Sequence, residues 1–498
     1  MNPEASWAAS RRWASFANFH DPLNGPIAYL AGFRLLPDIL WIGNGIDVRQ
    51  DAIRRLKIGP TTASATRACI QLGHLTTAVE ILEQGVATTF QQMLQLKTDV
   101  DELPSAQAVK FRTLSSELYA GTASNPTDVA RQRKNQLEEI RKQPGFEYFL
   151  CPKPYSVLWE SSQGGPVVIL NSHRKGCDGI IILRDSPQPI HVPLPEITLD
   201  FLKSQKEMLA ELLGQCNGFK SRPVQEWFVD LLKSLWTNIV EPVYLVLASY
   251  GISGGRLWWL PTGGFSGLPL HASPPSTDQF IHSYTATLGS LLDARNKESA
   301  VPKFGVVAVT HTGLGHENYL EGVGQEVHRI RSVVPDLKCL EAEKAIPEAV
   351  KLHLQDCSWL HLACHGAQDS TDPTKSRLLL YEGSLELGTI LRMPLSNAEF
   401  VFLGACQTAM GDAELLNESF HFGGGFIAAG FRSAVGTLWS MDDRDGPSVA
   451  ENFYTHLFRD GRRPRATDTA EALRSTVGEL RANNTPYARW VPFIHMGV

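Results

Sequence analysis

The 498-residue sequence has little that marks a secreted, metal-binding or nucleic-acid-binding protein. Its eight cysteines are scattered and none forms a CxxC pair, so we expect neither a disulfide framework nor a cysteine-ligated zinc site. The net charge of −6 comes without a dominant block of one sign. Nucleic-acid binding is not favoured, because a basic surface supplies most of its affinity. We predict no metal ion and no cofactor.

Long hydrophobic runs are also missing. The apolar stretch 27–36 is among the longest, but Gly32 and Arg34 interrupt it, and it falls short of the ~20 residues that span a bilayer. The sequence begins without the basic start and apolar run of a signal peptide. These absences predict a protein that does not bind membranes and that works in a reducing, cytoplasmic compartment.

The amino acids that are present are those of an ordinary globular chain. Hydrophobic residues make up 43% and charged residues 20% of the sequence, and its length suggests about two to four domains. A chain of this size can bury a large core without help from disulfides.

The first 120 residues are predicted to form an α-helical region. In 68–85, apolar residues recur three to four positions apart, as they do in amphipathic helices. The spacing resembles one helical hairpin of a tetratricopeptide (TPR) repeat, in which the small residues Gly73 and Ala78 would let the helices approach closely. An ordinary amphipathic hairpin explains the pattern equally well, since repeat solenoids need several stacked copies. The positions that carry the resemblance are Gly73, Leu75, Ala78, Leu82 and Gly85.

Residues 121–149 are predicted to be a linker and a helix, and 150–498 to be a second domain in which strands alternate with helices. This alternation predicts an α/β fold with a mostly parallel sheet flanked by helices. The predicted strands are 167–170, 179–183, 243–248, 256–260, 304–309, 358–363, 400–403 and 433–438. The predicted helices of this domain are 199–213, 224–240, 324–334, 345–354, 415–429, 447–458 and 467–480.

Two chemically reactive residues stand where predicted strands end. His365 follows the strand 358–363, and Cys406 follows the strand 400–403. Reactive residues of parallel sheets gather at the carboxyl ends of strands, and two adjacent strands would bring these side chains within hydrogen-bond reach. A cysteine nucleophile reacts as the thiolate, and an imidazole can take its proton and later donate one to a leaving amine. The pair therefore predicts a nucleophile with its base.

The neighbours of the pair are small, as a peptide-binding cleft requires. Gly366 lets the backbone approach a substrate closely, and its N–H, together with the N–H of Cys406, would stabilise a developing oxyanion. Gly404 and Ala405 leave room beside the sulfur atom.

Neither residue is strong evidence when it is considered alone. A lone cysteine after an apolar run is usually a core residue, and a lone histidine before a glycine is usually a turn residue. Cys364 fits the first description, because it ends the apolar alternation of its strand, and we predict that it is buried. His365 and Cys406 both end strands and both have small neighbours, which favours the catalytic interpretation.

The segments around both residues resemble the CHAT family of caspase-like domains, which occur together with TPR repeats. The histidine segment 360–366 (LHLACHG) matches the family pattern apolar–His–apolar–Ala–Cys–His–Gly throughout. The cysteine segment 403–408 (LGACQT) matches apolar–Ser–Ala–Cys–x–Thr, with Gly404 where serine is usual. About 40 residues separate the two catalytic candidates, close to the spacing of about 50 residues in caspases.

The resemblance covers about 150–498 and is most specific over 345–498. It implies a caspase-like peptidase that cuts proteins or peptides, with His365 as the base and Cys406 as the nucleophile; no third catalytic member is implied. Further matching segments are 260–272, 283–288, 422–430 and 433–443.

Acidic residues border the expected cleft. Asp442 and Asp443 follow the strand 433–438, and Asp412 lies in the segment after Cys406. Their carboxylates are candidates for binding a basic substrate side chain, although solvated loop charges and helix N-terminal charges explain them equally well.

The segment 251–255 (GISGG) matches the GxSxG nucleophile elbow of serine hydrolases. That elbow stands between a strand and a helix, whereas the residues that follow here, 256–260, are predicted to be a strand. We therefore interpret the segment as a glycine turn.

We predict a cysteine endopeptidase that acts on a protein or peptide substrate and is regulated by its helical region or by a partner protein. One alternative is a catalytically silent caspase-like scaffold for protein–protein interaction, against which the intact segments around His365 and Cys406 argue. A second alternative is a structural adaptor built on helical repeats, which is disfavoured because only about one repeat is recognisable.

Overall fold

The computed structural model describes residues 2–97, 100, 103–214, 222–273, 275, 279–309, 320–369, 372–404 and 422–498. These residues form two compact units. The first contains residues 1–158 and 391–393, and the second contains residues 159–390 and 394–498.

The N-terminal unit is built from helices, as predicted for the first part of the chain. Its helices are α1 (Pro3–His20), α2 (Gly25–Phe33), α3 (Leu36–Ile39), α4 (Ile46–Arg55), α5 (Ile58–Gln71), α6 (Leu75–Gly85), α7 (Thr88–Leu96), α8 (Ser105–Ala120), α9 (Pro126–Ile140) and α10 (Tyr155–Leu158).

Helices α5 and α6 form the predicted hairpin, but the small residues act differently from the prediction. Ala78 is fully buried, as expected for close packing. Gly73 packs against nothing: its φ of 74° and its empty surroundings indicate a left-handed turn after α5. The close approach occurs instead at Gly85, where a β-carbon would lie 2.0 Å from the hydroxyl oxygen of Thr62.

The second unit contains two sheets and the remaining helices. Its strands are β1 (Val167–Asn171), β2 (Cys177–Ile182), β3 (Ile190–Leu194), β4 (Gly255–Pro261), β5 (Phe280–Tyr284), β6 (Phe304–Ala308), β7 (Lys338–Glu341), β8 (Trp359–Ala363), β9 (His365–Ala367), β10 (Arg377–Leu380), β11 (Gly383–Glu386), β12 (Phe400–Leu403), β13 (Ser433–Thr437) and β14 (Phe493–Gly497). Its helices are α11 (Leu199–Gly214), α12 (Arg222–Leu235), α13 (Glu241–Ser249), α14 (Leu288–Asn296), α15 (Val323–Val333), α16 (Pro347–Asp356), α17 (Leu387–Leu391), α18 (Phe422–Ala429), α19 (Gly446–Phe458), α20 (Thr469–Ala482) and α21 (Tyr487–Trp490).

The large sheet has eleven strands in the order β3-β2-β1-β4-β5-β14-β13-β12-β8-β6-β7. Seven of its ten neighbouring pairs are parallel, which confirms the predicted mostly parallel sheet. The strand β14 joins two halves that run in opposite directions, because it pairs parallel with β5 and antiparallel with β13. The carboxyl ends of β13, β12, β8, β6 and β7 therefore share one edge.

Aromatic side chains hold helix α19 against the second half of the sheet. Trp359 and Phe400, opposite each other on β8 and β12, lie 5.0 Å apart between ring centroids. Phe453 of α19 stacks on Phe400 at 5.5 Å and meets Phe402 edge-on at 5.1 Å. Each of these four side chains is at least 98% buried. Burying a side chain of this kind stabilises the fold by about 1.5–3 kcal/mol, so this layer anchors the strand ends above it.

A small sheet of three strands, ordered β11-β10-β9, lies between β8 and β12 in the chain. This small sheet and the helix α17 form the connection between the two neighbouring strands β8 and β12. Strands of three or four residues leave almost no periodicity in a sequence, which is why the pattern did not reveal them.

The prediction of a strand at 243–248 is wrong, because these residues form α13. The apolar run and Pro242 indicated a helix end followed by a strand. Instead, a π-helical turn (Trp236–Val240) precedes Pro242, and the helix continues through the proline into α13. The segment 251–255 consequently lies between a helix and a strand, the reverse of a nucleophile elbow.

The helix Val224–Ser249 is the one helix among the described residues that is long and apolar enough to cross a membrane. Its apolar face is occupied within the unit. Phe228, Leu235 and Val243 are fully buried, and the Phe228 ring stacks on Tyr487 with centroids 6.3 Å apart. Packing in the core therefore accounts for its composition.

Gly497, at the end of the central strand β14, lies where the sheet leaves no room for a side chain. Its φ is 89°, and a β-carbon there would lie 2.2 Å from the carbonyl oxygen of Arg432. We expect Gly497→Ala to destabilise the protein by about 1–3 kcal/mol, because alanine is strained in this backbone conformation and its β-carbon would clash with the carbonyl oxygen of Arg432. The measurement is the unfolding midpoint in a denaturant titration.

The matched control is Gly478→Ala on the exposed face of α20, where a β-carbon would meet no atom within 4 Å. Alanine in a helix interior should stabilise the protein by roughly 0.5–1 kcal/mol. Shifts of the same sign in both variants would contradict the account of Gly497.

Candidate active site

The two predicted catalytic residues follow neighbouring parallel strands. Leu362 of β8 lies opposite Leu403 of β12, so the carboxyl ends of these two strands lie next to each other at the same edge of the sheet. His365 is three positions beyond the first member of this pair, and Cys406 is three positions beyond the second. The predicted adjacency of the two strands is confirmed. Cys406 itself lies outside the described residues, as does Asp412.

His365 opens the small sheet rather than simply ending β8. It lies opposite Leu379 of β10, and Gly366 lies opposite Leu378. Both His365 and Gly366 are half-buried, so the imidazole stands at the border between the core and solvent. Cys364 is fully buried, as predicted for a core residue.

A buried polar cluster lies beneath these strand ends. His361 of β8 is 1% exposed, and its Nε2 lies 2.8 Å from Oε1 of Glu326 on α15. Its Nδ1 lies 3.2 Å from the hydroxyl of Tyr454 on α19, and its ring stacks on Phe402 with centroids 4.8 Å apart. Nε2 is within donating distance of the Glu326 carboxylate, and the hydroxyl of Tyr454, whose pKa is raised by burial, can donate to Nδ1.

No motif in the sequence marks this cluster. His361 belongs to the same segment as His365, and Glu326 is one of many acidic residues on helices. The available signal in the sequence was the carboxylate of Glu326, which lies on a helix that is otherwise predicted to pack on the sheet.

The loop after β13 carries two aspartates in different surroundings. Asp442 accepts hydrogen bonds from Arg444, with Nε–Oδ1 and Nη2–Oδ2 distances of 2.8 and 2.5 Å. Its other basic neighbour is Arg489, 3.7 Å away. The Arg444 guanidinium holds the pKa of Asp442 below its usual value. Arg489 also pairs with the buried Asp445, which attaches this loop to α21.

Asp443 is turned toward the strand ends. Its Oδ2 accepts a hydrogen bond from the N–H of Gly322, at 2.7 Å, just before α15. Burial is the main cause that raises the pKa of Asp443, and the nearby charges of Glu326 and Asp442 raise it further. The Gly322 hydrogen bond and the charge of His365 act in the opposite direction, so Asp443 and His365 are close enough to interact electrostatically.

Among the described residues, no group of three or more His, Cys, Asp or Glu side chains is arranged to hold a metal ion. The chemistry that the described side chains support at this edge of the sheet is proton transfer by the half-buried imidazole of His365.

Solved structures show what the fold is similar to. One Saccharomyces cerevisiae separase, from a separase–securin complex, matches at 10% identity with a TM-score of 0.50, over 96% of this chain and 37% of the separase chain. A second separase–securin structure has 11% identity and a TM-score of 0.47, over 99% of this chain and 44% of the other. The cysteine proteinase gingipain R (RgpB) has 10% identity and a TM-score of 0.37, over 56% of this chain and 68% of its own.

The chain thus spans less than half the length of the separase chains that it matches. At such low identity the likeness to the separase with a TM-score of 0.50 concerns the fold alone, and it agrees with the predicted α/β sheet preceded by a helical region. A search of curated protein sequences found no significant match.

The sequence itself identifies the family. A model of the CHAT domain matches residues 229–498, which is more than half of the chain and includes both predicted catalytic residues. The protein belongs to the CHAT domain family.

Proposed function

We propose that the protein is a cysteine endopeptidase that cleaves a protein or peptide substrate with Cys406 as nucleophile and His365 as base. The observation that carries this proposal is the register of β8 and β12. Leu362 and Leu403 are level, and each catalytic candidate follows its strand by the same three residues. Membership of a family with a peptidase-like fold supports the same function.

In the first half of the reaction, His365 takes the proton from Sγ of Cys406, and the thiolate attacks the carbonyl carbon of the scissile bond. The N–H groups of Gly366 and Cys406 stabilise the oxyanion that forms. When the tetrahedral intermediate collapses, the imidazolium of His365 donates its proton to the leaving amine. The acyl group remains on Cys406 as a thioester.

In the second half, His365 acts as base toward a water molecule that attacks the thioester. The second tetrahedral intermediate collapses, the carboxyl product leaves, and Sγ recovers its proton. The half-buried position of His365 suits both steps, since the imidazole must reach solvent water as well as the sulfur atom.

Asp443 is the aspartate that we assign to substrate recognition. The carboxylate of Asp442 is already occupied by two guanidinium groups, those of Arg444 and Arg489. Asp443 accepts a hydrogen bond from a backbone amide and interacts electrostatically with His365, so we place it where a substrate residue next to the scissile bond would pass. A basic side chain there would gain an ion pair in a half-buried site. Asp412 stays a prediction for the same role.

We further propose that a partner protein regulates the enzyme through its helical unit and that the enzyme works in the cytoplasm, where a reactive thiol stays reduced. Separase, which the chain resembles in fold, was crystallised with securin. The competing proposal is a catalytically silent scaffold, which predicts partner binding without cleavage.

Cys406→Ala should abolish peptide-bond cleavage, with a loss of roughly 10⁴-fold or more in kcat/KM, because no other group supplies the nucleophile. Cleavage is measured on a peptide library, which also reveals the preferred residue before the scissile bond. Cys339→Ala removes a half-exposed thiol from β7 and should cleave like wild type. Wild-type activity in Cys406→Ala would disprove the proposed mechanism.

Thiol alkylation should label Cys406 before Cys364. His365 increases the thiolate fraction of Cys406 at neutral pH, whereas Cys364 is fully buried. Iodoacetamide labelling followed by peptide mass spectrometry gives the order, with the half-exposed Cys151 as an ordinary thiol for comparison. His365→Ala should slow the labelling of Cys406. Faster modification of Cys364 would reverse the assignment.

Asp443→Asn should raise KM for substrates with Arg or Lys at the cleavage site, by on the order of tenfold, and change neutral substrates less. The physical reason is the loss of a carboxylate that faces the cleft. Asp442→Asn is the matched control, because its carboxylate is held by Arg444. An equal effect of both variants on basic and neutral peptides would refute the role of Asp443.

A further inference from the structure

The carboxylate of Glu326 lies where α15, β8 and α19 meet, near the strand ends that precede His365 and Cys406. Through its hydrogen bond with His361 it joins α15 to β8, and through Tyr454 the same imidazole is joined to α19. Glu326 and His361 are 3% and 1% exposed, so the pair is shielded from water.

The same carboxylate lies close to the two glycines that border the site, so that a side chain at either position would meet it. A β-carbon on Gly404, the last described residue before Cys406, would lie 3.6 Å from Oε1 of Glu326 and 3.7 Å from Nε2 of His361. A β-carbon on Gly446, at the start of α19, would lie 2.9 Å from Oε2 of Glu326. The chain therefore passes Glu326 closely on the way to the nucleophile and again after the acidic loop.

Helix α15 is also tied to the acidic loop at its own start. Gly322, four residues before Glu326, donates its N–H to Asp443. One helix thereby holds the end of β8, the end of β12 and the loop that carries Asp443.

Stability alone does not require a polar cluster here. A buried ion pair or hydrogen-bonded pair contributes about as much to stability as well-packed apolar residues of similar volume, and sometimes less. Apolar side chains, however, do not impose one orientation, whereas a hydrogen bond between fixed atoms does. We therefore attribute the polar groups to a role in orienting the chain segments that they join.

We propose that Glu326 is a positioning residue, which through its hydrogen bond with His361 and its close approach to Gly404 and Gly446 sets the relative placement of the chain segments that carry His365, Cys406 and Asp443. This inference rests on the proposed peptidase function. Small displacements of reacting groups, near 1 Å, can cost on the order of 10²-fold in rate, so a change at Glu326 should act on kcat more than on KM.

The decisive variant replaces the whole cluster by apolar residues: Glu326→Leu, His361→Phe and Tyr454→Phe together. No polar partner is then left unpaired, and the folded state should survive, as checked by circular dichroism and the unfolding midpoint. We expect kcat for Cys406-dependent cleavage to fall at least roughly tenfold with KM changed less than threefold. A folded triple variant with wild-type kcat would overturn the inference.

Glu326→Gln provides a second, nearly isosteric variant for the case that the triple variant does not fold. The amide keeps the size of the side chain but weakens the hydrogen bond to His361, so a smaller fall in kcat is expected. Wild-type kcat in folded Glu326→Gln would equally overturn the inference.

The control breaks a different link between the same two helices. Arg329 of α15 forms an ion pair with Glu451 of α19 at the surface, where both side chains are about 40% exposed. Arg329→Gln should leave kcat unchanged; a loss equal to that of Glu326→Gln would mean that any weakening of the α15–α19 contact suffices, which contradicts a specific role of Glu326. The absence of Cys406-dependent cleavage by the wild-type protein would overturn the proposed function itself, whereas none of the results for the variants would do so.

Discussion

The parallel pairing of β8 and β12 is the constraint on which the rest of the site depends. In a parallel pair, both strands end at the same edge, so two residues far apart in sequence come together without a special loop. The pairing of Leu362 with Leu403 sets the register, and a slip by one residue would turn every side chain of a strand to the opposite face. The aromatic layer of Trp359, Phe400 and Phe453 makes such a slip costly.

His365, at this edge of the sheet, and His361, in the buried polar cluster, have different surroundings. His365 is half-buried, so that its imidazole lies at the border between the core and solvent. His361, four residues earlier, is fully buried and hydrogen-bonded at both ring nitrogens. One short segment thus contains a histidine suited to proton transfer and a histidine suited to holding other groups in place.

The charges of the acidic loop are divided in a similar way. Arg444 and Arg489 pair with Asp442 and Asp445 and fix the loop, while Asp443 accepts a hydrogen bond from the backbone N–H of Gly322. Burial raises the pKa of Asp443, and the charge of His365 acts in the opposite direction. Neighbouring aspartates in the sequence therefore have separate roles in the fold.

The sequence alone determined the α/β nature of the domain and predicted its reactive pair. The alternation of strands and helices predicted a mostly parallel sheet, and the two small-residue segments after apolar runs placed His365 and Cys406 at strand ends. Local patterns suffice there, because a strand of four or more apolar residues and the glycines next to it are read directly from adjacent positions. Tertiary structure decided the rest: the pairing across β14, the inserted small sheet, the helix at 241–249, and the meeting of Glu326 with His361. These features depend on contacts between residues distant in the chain, and no local periodicity records which distant residues will meet.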